Sequence, residues 1–427
     1  MIKKVSFFTL GCKLNFAETS SLAKAFENKG YERTNKLDDS DIVIVNTCSV
    51  TSLAEKKGRN ILSRAKRANP NAVIVAMGCY AQLNPDELKD LGHIDLILGN
   101  DEKFNIFDYL KTPGEQKIFR HPYKEIARFD GAYSSSDRTR TFLKVQDGCD
   151  YFCAYCTIPM ARGLSRSPNI DSIVKSIDEI TKTGSKEIIL TGVNIGDFGR
   201  KNGESFYDLL KKIIQVGQPQ RLRISSIEPN LLTNEIIELA AQTPQIMPHF
   251  HIPLQCGTDE MLQKMNRRYT TDLFKQRIEK IRSVSPNAFI AADVIVGTPG
   301  ETDVLHRRAM DFIAELQLSA LHVFTYSQRP NTKAATMEEQ VNAATKNERS
   351  KQMHELSQTL EKKFIETQLN STHSVLFEKP QKDGYIYGFT DNYLRVKVPY
   401  TNGLDNTITN VNLRSVNNEN EVNGEIL

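Results

Sequence analysis

Cys149, Cys153 and Cys156 stand in the run Asp147-Gly148-Cys149-Asp150-Tyr151-Phe152-Cys153-Ala154-Tyr155-Cys156, a C-x3-C-x2-C spacing directly after an apolar strand pattern. Three thiolates on one loop suit three irons of a cubane cluster and leave the fourth iron without a protein ligand. Such an open iron can chelate a small molecule, whereas a four-cysteine ferredoxin site is closed and only transfers electrons. A structural zinc needs a second pair of ligands. None lies nearby, and Cys256 is the one cysteine available to complete a set.

Cys12, Cys48 and Cys79 form a second set that is dispersed in sequence. Each follows the carboxyl end of an expected strand, at Leu10, Asn46 and Met77. In an open parallel sheet those ends share one edge, where ligands bind. A lone cysteine in such a place reads as a small buried hydrophobe. Three in the same place read as ligands, and thiolate-only ligation with no fourth partner favours a cluster over zinc. Cys256, in His251-Ile252-Pro253-Leu254-Gln255-Cys256-Gly257, reads as structural.

These loops need rigid elements to hold them, and 427 residues suffice for two or three domains. Lys and Arg total 55 against 52 Asp and Glu, so nucleic-acid contact must come from local patches rather than net charge. Seven cysteines, clustered too tightly for a disulfide framework, point to a reducing compartment rather than a secreted scaffold. Lys3-Lys4, the apolar residues 5–10 and Gly11-Cys12 imitate a lipoprotein leader, but the apolar run is shorter than such a leader needs. No stretch reaches membrane-spanning length. The expectation is a cytoplasmic protein without a membrane partner.

The first ~120 residues alternate continuous apolar strands with helical patterns, as in a doubly wound α/β domain. The expected strands are 5–10, 41–46, 72–77 and 94–98, with helices at 17–29, 54–68 and 85–91. Residues 112–138, with Pro113-Gly114-Glu115 and Ser134-Ser135-Ser136-Asp137, read as a linker. Six strand–helix repeats follow, with strands near 141–145, 187–190, 222–226, 249–252, 289–296 and 322–326, arguing for a parallel sheet or partial barrel. A charged helix at 346–369 leads to a small all-β module with strands at 374–378, 385–390, 393–398 and 407–416. The polar residues 417–427 read as a frayed end.

Several motifs closely resemble those of the radical-SAM methylthiotransferases: TLGCKLN at 9–15, VNTCSVT at 45–51, GCYAQ at 78–82, KVQDGCDYFCAYCTIPMARG at 144–163 and DVIVGTPGET at 293–302. The resemblance spans nearly the whole chain. It implies an α/β fold in three parts: an amino-terminal methylthiotransferase domain at 1–120, a radical-SAM partial (β/α)6 barrel at 135–365 and a small all-β TRAM domain at 371–427. It also implies two [4Fe–4S] clusters. An auxiliary one on Cys12, Cys48 and Cys79 would carry sulfur; one on Cys149, Cys153 and Cys156 would reduce S-adenosyl-L-methionine to a radical. An electron donor of flavodoxin or ferredoxin type is implied as well. Carried over to this chain, cofactor contacts fall on Tyr155, on Thr191, Gly192 and Asn194, on Glu228 and Gln255, on Gly297 in its tight turn, and on Tyr326 and Arg329. Forming a carbon–sulfur bond at an unactivated C–H is beyond acid–base side chains, so no further catalytic side chain is expected.

Members of this family modify a tRNA adenosine beside the anticodon or a ribosomal-protein aspartate. Lys13 in LGCKLN is most like the type acting on N6-threonylcarbamoyladenosine; the isopentenyladenosine type usually has Gln-Met-Asn there. Basic groups suit the anticodon stem-loop of tRNA: Lys56, Lys57, Arg59, Arg64, Lys66 and Arg67 on one helix, and Arg138, Arg140, Arg162 and Arg166 around the radical motif. Tyr385, Tyr387 and Tyr393 interleave with Arg395 and Lys397, a pattern that suits loop RNA or a barrel core equally. A non-catalytic iron–sulfur RNA-binding protein is the reading from a different class.

Overall fold

A computed structural model describes residues 3–111, 117–134, 139–381 and 383–427. The amino-terminal sheet is built from strands β1 (Lys4–Thr9), β2 (Glu32–Arg33), β3 (Ile42–Thr47), β4 (Val73–Gly78), β5 (Leu96–Leu98) and β6 (Lys117–Phe119). Its order is β2-β1-β3-β4-β5-β6, and every pairing is parallel. Helices α1 (Lys13–Asn28), α2 (Ser52–Ala68), α3 (Cys79–Leu83), α4 (Pro85–Lys89) and α5 (Ile106–Tyr109) complete it. β3 is buried along its whole length, as a strand covered on both faces must be.

Six parallel strands follow in sequence order: β7 (Arg140–Lys144), β8 (Glu187–Thr191), β9 (Arg221–Ile224), β10 (His249–His251), β11 (Phe289–Val296) and β12 (Ala320–Thr325). They form two three-stranded sheets joined by single bridges, Leu222 to Ile246 and Ser226 to His251. Helices α6 (Ile158–Arg162), α7 (Ile170–Lys182), α8 (Phe206–Val216), α9 (Asn234–Gln242), α10 (Asp259–Lys264), α11 (Thr271–Val284) and α12 (Asp303–Glu315) lie between them. Alternate strand residues such as Leu143, Ile188, Leu190 and Ile224 join Ile173, Ile177, Leu209 and Phe274 of the helices in one core. The opposite set mixes charged Lys144, Glu187, Arg223 and Asp293 with apolar residues such as Phe142 and Ile189. This is a partial (β/α)6 barrel whose concave face is built for polar ligands.

Helix α13 (Ala343–Gln368) leads into a closed barrel of strands β13 (Thr372–Phe377), β14 (Tyr385–Thr390), β15 (Arg395–Pro399), β16 (Ile408–Val416) and β17 (Val422–Ile426), in the order β13-β14-β15-β17-β16. It sits under the larger barrel: Arg221 donates to the Ser374 carbonyl at 2.6 Å and Arg223 to the Asp391 carbonyl at 3.1 Å, while buried Glu187 pairs with both arginines. The fold class agrees with expectation, with two local corrections. Within the expected linker, Lys117–Phe119 adds the sixth strand of the first sheet; the rest of that stretch at 112–116 and 135–138, with Arg138, lies outside the described residues. The expected frayed end closes the small barrel instead, because Val422 enters its core and Gly424 admits close backbone approach, where a Cβ would stand 2.4 Å from Val411. Among the described residues no helix is long and apolar enough to cross a membrane.

The first sheet and the large barrel are tied by a buried charge cluster. Glu18 of α1 meets Lys103 at 2.5 Å, Lys144 at 3.0 Å and Arg162 at 3.0 Å. Lys144 and Arg162 also meet Asp147, at 2.7 and 2.9 Å. Burial alone would push the Glu18 carboxyl up, but Arg162, Lys103 and Lys144 outweigh it and hold it far below the usual range. Removing this carboxylate leaves buried Lys103 without an ion-pair partner and makes Lys144 and Arg162 share Asp147 alone. Glu18→Ala should therefore destabilise the protein by about 3–5 kcal/mol, read by chemical denaturation; a loss under about 1 kcal/mol would refute the role given to the cluster.

Candidate active site

The two cysteine sets lie at carboxyl ends of parallel strands in adjoining sheets. β1, β3 and β4 are neighbours, with Thr9 opposite Asn46 and Thr47 opposite Gly78, so the turns carrying Cys12, Cys48 and Cys79 line up along one edge. Gly11 has φ +96°, and a Cβ there would stand 2.8 Å from the Cys48 sulfur, so this turn needs glycine to bring Cys12 beside Cys48. Asn100 donates to the Cys79 sulfur at 3.7 Å and to the Ala161 carbonyl at 2.8 Å, linking the first set to the helix behind the second.

Cys149, Cys153 and Cys156 occupy the loop between β7 and α6. Gly148 has φ +70°, and a Cβ there would fall 2.1 Å from the Leu164 carbonyl oxygen, so only glycine lets the loop fold back on that strand. The Ile158 N–H donates to the Cys156 sulfur at 3.4 Å. Arg267 donates to the Cys153 sulfur at 3.0 Å and to the Tyr155 hydroxyl at 3.3 Å, and it pairs with Glu228. Burial pushes the Glu228 carboxyl up, and Arg267 offsets part of that.

Spacing tests what these thiols fit. Zinc–thiolate bonds of ~2.3 Å bring sulfurs on one ion to within about 4 Å of each other. Among the described residues, the groups of three ligand atoms lying within 4.8 Å of one another are His251–Asp293–His322 and Asp101–Glu102–His121, neither containing a cysteine. Both cysteine sets are too open for one ion, as three ligands on three different irons must be. Their sulfurs still feel one another: burial, then Cys79, pushes the Cys48 thiol up to about 12, and burial, then Cys153, does the same for Cys156. Iron must displace those protons on binding.

Between the sets lies a cleft of about 190 Å³, lined by Val50 and Thr51 beside the first set and by Tyr155 and Cys156 from the second. Gln255, Asp293, Ile295, Tyr326 and Arg329 form its barrel wall. The Tyr326 hydroxyl and the nearby Asn194 amide are buried without a well-formed hydrogen bond, as suits sites for a polar ligand. Of the expected contact residues, Tyr155, Gln255, Tyr326 and Arg329 thus share one cleft. The Arg329 guanidinium is already paired with Glu55 of α2, which clamps the first sheet to the barrel. Thr191, Gly192 and Asn194 follow β8, where Gln146 accepts from the Val193 and Asn194 N–H groups at 2.9 and 2.8 Å. Glu228 reaches the site through Arg267. Gly297 does not line the cleft; its N–H donates to Glu301 and its open face packs on Lys346. Cys256 is buried with Met261, Met265 and Tyr269, as expected of a structural cysteine.

The RNA-facing expectations divide. Lys56, Lys57, Arg64 and Arg67 are exposed on α2, whereas Arg59 bonds to Tyr80 at 2.6 Å and Lys66 pairs with Asp95. Arg162 is buried in the charge cluster and Arg166 pairs with Asp147, so neither is free for phosphate. Tyr387 is buried and Tyr393 packs against Arg223, leaving Tyr385 and Arg395 exposed. Arg267 escaped sequence reasoning because MNRRYT carries no ligand-like spacing.

Residues 4–99 match the family model described as Uncharacterized protein family UPF0004, and residues 143–313 match the Radical SAM superfamily. The chain is 36% identical to the Threonylcarbamoyladenosine tRNA methylthiotransferase MtaB of Bacillus subtilis (strain 168), covering 96% of this chain and 93% of that protein. It is 35% identical to the protein of the same name from Thermotoga maritima, covering 92% and 91%. It is 34% identical to the tRNA-2-methylthio-N(6)-dimethylallyladenosine synthase of Endomicrobium trichonymphae, covering 91% of each. Among solved structures, the radical S-adenosylmethionine methyltransferase TsrM of Kitasatospora setae, with cobalamin and a [4Fe-4S] cluster bound, shares the fold at TM-score 0.58 and 16% identity, over 78% of this chain and 77% of that one.

Two outcomes are expected. Replacing Cys12, Cys48 and Cys79 together by alanine should roughly halve the iron bound after anaerobic reconstitution, since one cubane of two is lost; unchanged iron would remove the first set as ligands. Arg267→Met with Glu228→Gln, which deletes the donor to the Cys153 sulfur without leaving a buried charge, should lower the reduction potential of the radical-site cluster in an EPR-monitored titration. An unmoved potential would show that this hydrogen bond does not tune the cluster.

Proposed function

Because the chain belongs to the radical-SAM methylthiotransferases, we propose that it converts N6-threonylcarbamoyladenosine at position 37 of tRNA to its 2-methylthio derivative. The observation that carries this reading is a cleft lined by Cys156 of one set and by Val50 and Thr51, just after Cys48 of the other, which suits one bound base meeting a radical source and a sulfur source. The substrate choice is supported by the relatives bearing that activity in their names, at 33–36% identity. The chain is read as three modules, 1–120, 135–365 and 371–427, the last of TRAM type.

When bound, two [4Fe–4S] clusters on the six cysteines and S-adenosyl-L-methionine supply the electron, the radical and the sulfur. The protein's residues bind, orient and exclude water. Tyr155 and Gln255, with the underused polar groups of Asn194 and Tyr326, suit contacts to a cofactor bearing amino, carboxylate and ribose groups. Arg267 fixes the Cys153 sulfur and carries Glu228 into the site without a net buried charge. Glu55–Arg329 and the Glu18 cluster hold the two walls of the cleft at a fixed separation, so the reacting groups need not be brought together at each turnover.

The RNA partner fits the exposed Lys56, Lys57, Arg64 and Arg67 on α2, which begins at the cleft rim, with Val50, Leu53 and Phe324 exposed alongside for base contact. An anticodon stem-loop and a flavodoxin or ferredoxin-type donor in the cytoplasm complete the proposal. The dimethylallyladenosine reading is the second, since relatives of that name also match over 91% of the chain. Nucleoside mass spectrometry of tRNA from a strain lacking the gene separates the two. Loss of methylthio-threonylcarbamoyladenosine with its unmethylthiolated precursor accumulating is expected; its persistence unchanged would overturn the assignment.

A further inference from the structure

A second cleft of about 290 Å³ opens between the first sheet and the barrel wall, lined by Thr9, Gly11, Cys12, Lys13, Phe16, Arg140, Phe142 and Tyr393. Two cations border it. Lys13 is the first residue of α1, half-buried, and among the described residues it has no ion-pair or hydrogen-bond partner. Arg140 has a side chain 12% exposed. Its Nη2 meets Glu378 at 3.3 Å and the guanidinium also engages the Tyr393 hydroxyl, while its Nη1 is buried without a well-formed hydrogen bond. The guanidinium lies 4.0 Å above the Phe389 ring, so it cannot swing out to water without losing that contact.

Glu378 offsets part of the Arg140 charge, but Lys13 and the helix terminus add positive potential beside it. The helix begins at Cys12 with no side-chain cap and no acidic residue in its first turn, so its amino-terminal dipole is unneutralised. The buried Glu187 carboxylate pairs with Arg221 and Arg223 and acts on Arg140 as well. Burial pushes the Tyr393 phenol up, yet Lys13, Arg140 and Arg223 together outweigh burial and hold it below its usual range. A half-buried cleft holding an unpaired Lys13, a second cation in Arg140 and a helix amino terminus is suited to one anionic group.

The chemistry of the base says which group that is. In adenine, C2 and the N6-bearing carbon both adjoin N1, so an N6 substituent emerges beside the reacting carbon. Cys12 of the sulfur-bearing set lines this second cleft and Lys13 follows it, so a substituent beside the reacting carbon comes within its reach. The threonylcarbamoyl substituent ends in a carboxylate, whereas an isopentenyl group is apolar. Resting on the function proposed above, we propose that Lys13 and Arg140 form a carboxylate subsite that reads the threonyl end of the N6 substituent. An RNA phosphate offers similar anionic chemistry, and the test separates the two sources.

Anticodon stem-loops would carry, at position 37, threonylcarbamoyladenosine, the same nucleoside with its carboxylate capped as a methylamide, or isopentenyladenosine. Binding to the reconstituted full-length protein without reductant is read by fluorescence anisotropy, so no turnover is needed. The native protein should prefer the free carboxylate over the capped form by about ten-fold, the scale of one charge-assisted hydrogen bond. Lys13→Met should erase that preference while leaving the capped RNA's affinity unchanged, and Lys13→Arg should keep it. Equal weakening of all three RNAs by Lys13→Met would assign Lys13 to phosphate and overturn the subsite, as would a native protein indifferent to the cap. Tighter native binding of the isopentenyl RNA than of the threonylcarbamoyl RNA would instead overturn the substrate assignment itself. Among the described residues Lys13 has no ion-pair or hydrogen-bond partner, so an unchanged thermal midpoint for Lys13→Met confirms that binding, not folding, is being read.

Discussion

The buried carboxylate of Glu18 is the interaction on which the rest of the structure depends. It comes from the helix that starts at Cys12, and it accepts from Lys144, one strand turn ahead of Cys149, and from Arg162, just behind Cys156. Asn15, three residues after Cys12, adds a 2.5 Å bond to the same Arg162 and another to the Leu10 carbonyl. The two thiol-bearing loops are thus fastened to one set of buried charges. Charges in a low-dielectric interior resist separation because each would be left unpaired, so the spacing between the loops is stiff.

That stiffness has a functional reason. Radical chemistry tolerates little drift, since a reactive group that misses its target attacks the protein or solvent. A cleft whose walls are joined by ion pairs on two sides, Glu18 at the back and Glu55–Arg329 at the rim, holds its geometry without a closing motion. The cost falls on the thiols, which burial keeps protonated until iron arrives.

Much of this was legible in residue order because it depends on local spacing. The C-x3-C-x2-C run names its chemistry outright, and continuous apolar strands ending at Leu10, Asn46 and Met77 placed three distant cysteines on one edge, where β1, β3 and β4 hold them. What depends on tertiary contact was not legible. Arg162 looked like an RNA contact in ARG, but its guanidinium turns inward to Glu18 and Asp147. Arg329 read as a cofactor contact, and its partner Glu55 lies far away in sequence. The three-residue β6 and the closing β17 have too few apolar residues to declare themselves; sheet edges and barrel closure make them strands.

The central claim is that both cysteine sets hold clusters across one cleft. EPR of the anaerobically reconstituted, reduced protein tests it most directly, because two neighbouring paramagnetic clusters broaden each other through spin–spin coupling. A coupled spectrum that collapses to one simple signal when Cys12, Cys48 and Cys79 are replaced is the predicted result. A spectrum of the native protein already identical to that of the variant, or equal to the sum of two independent clusters, would contradict it.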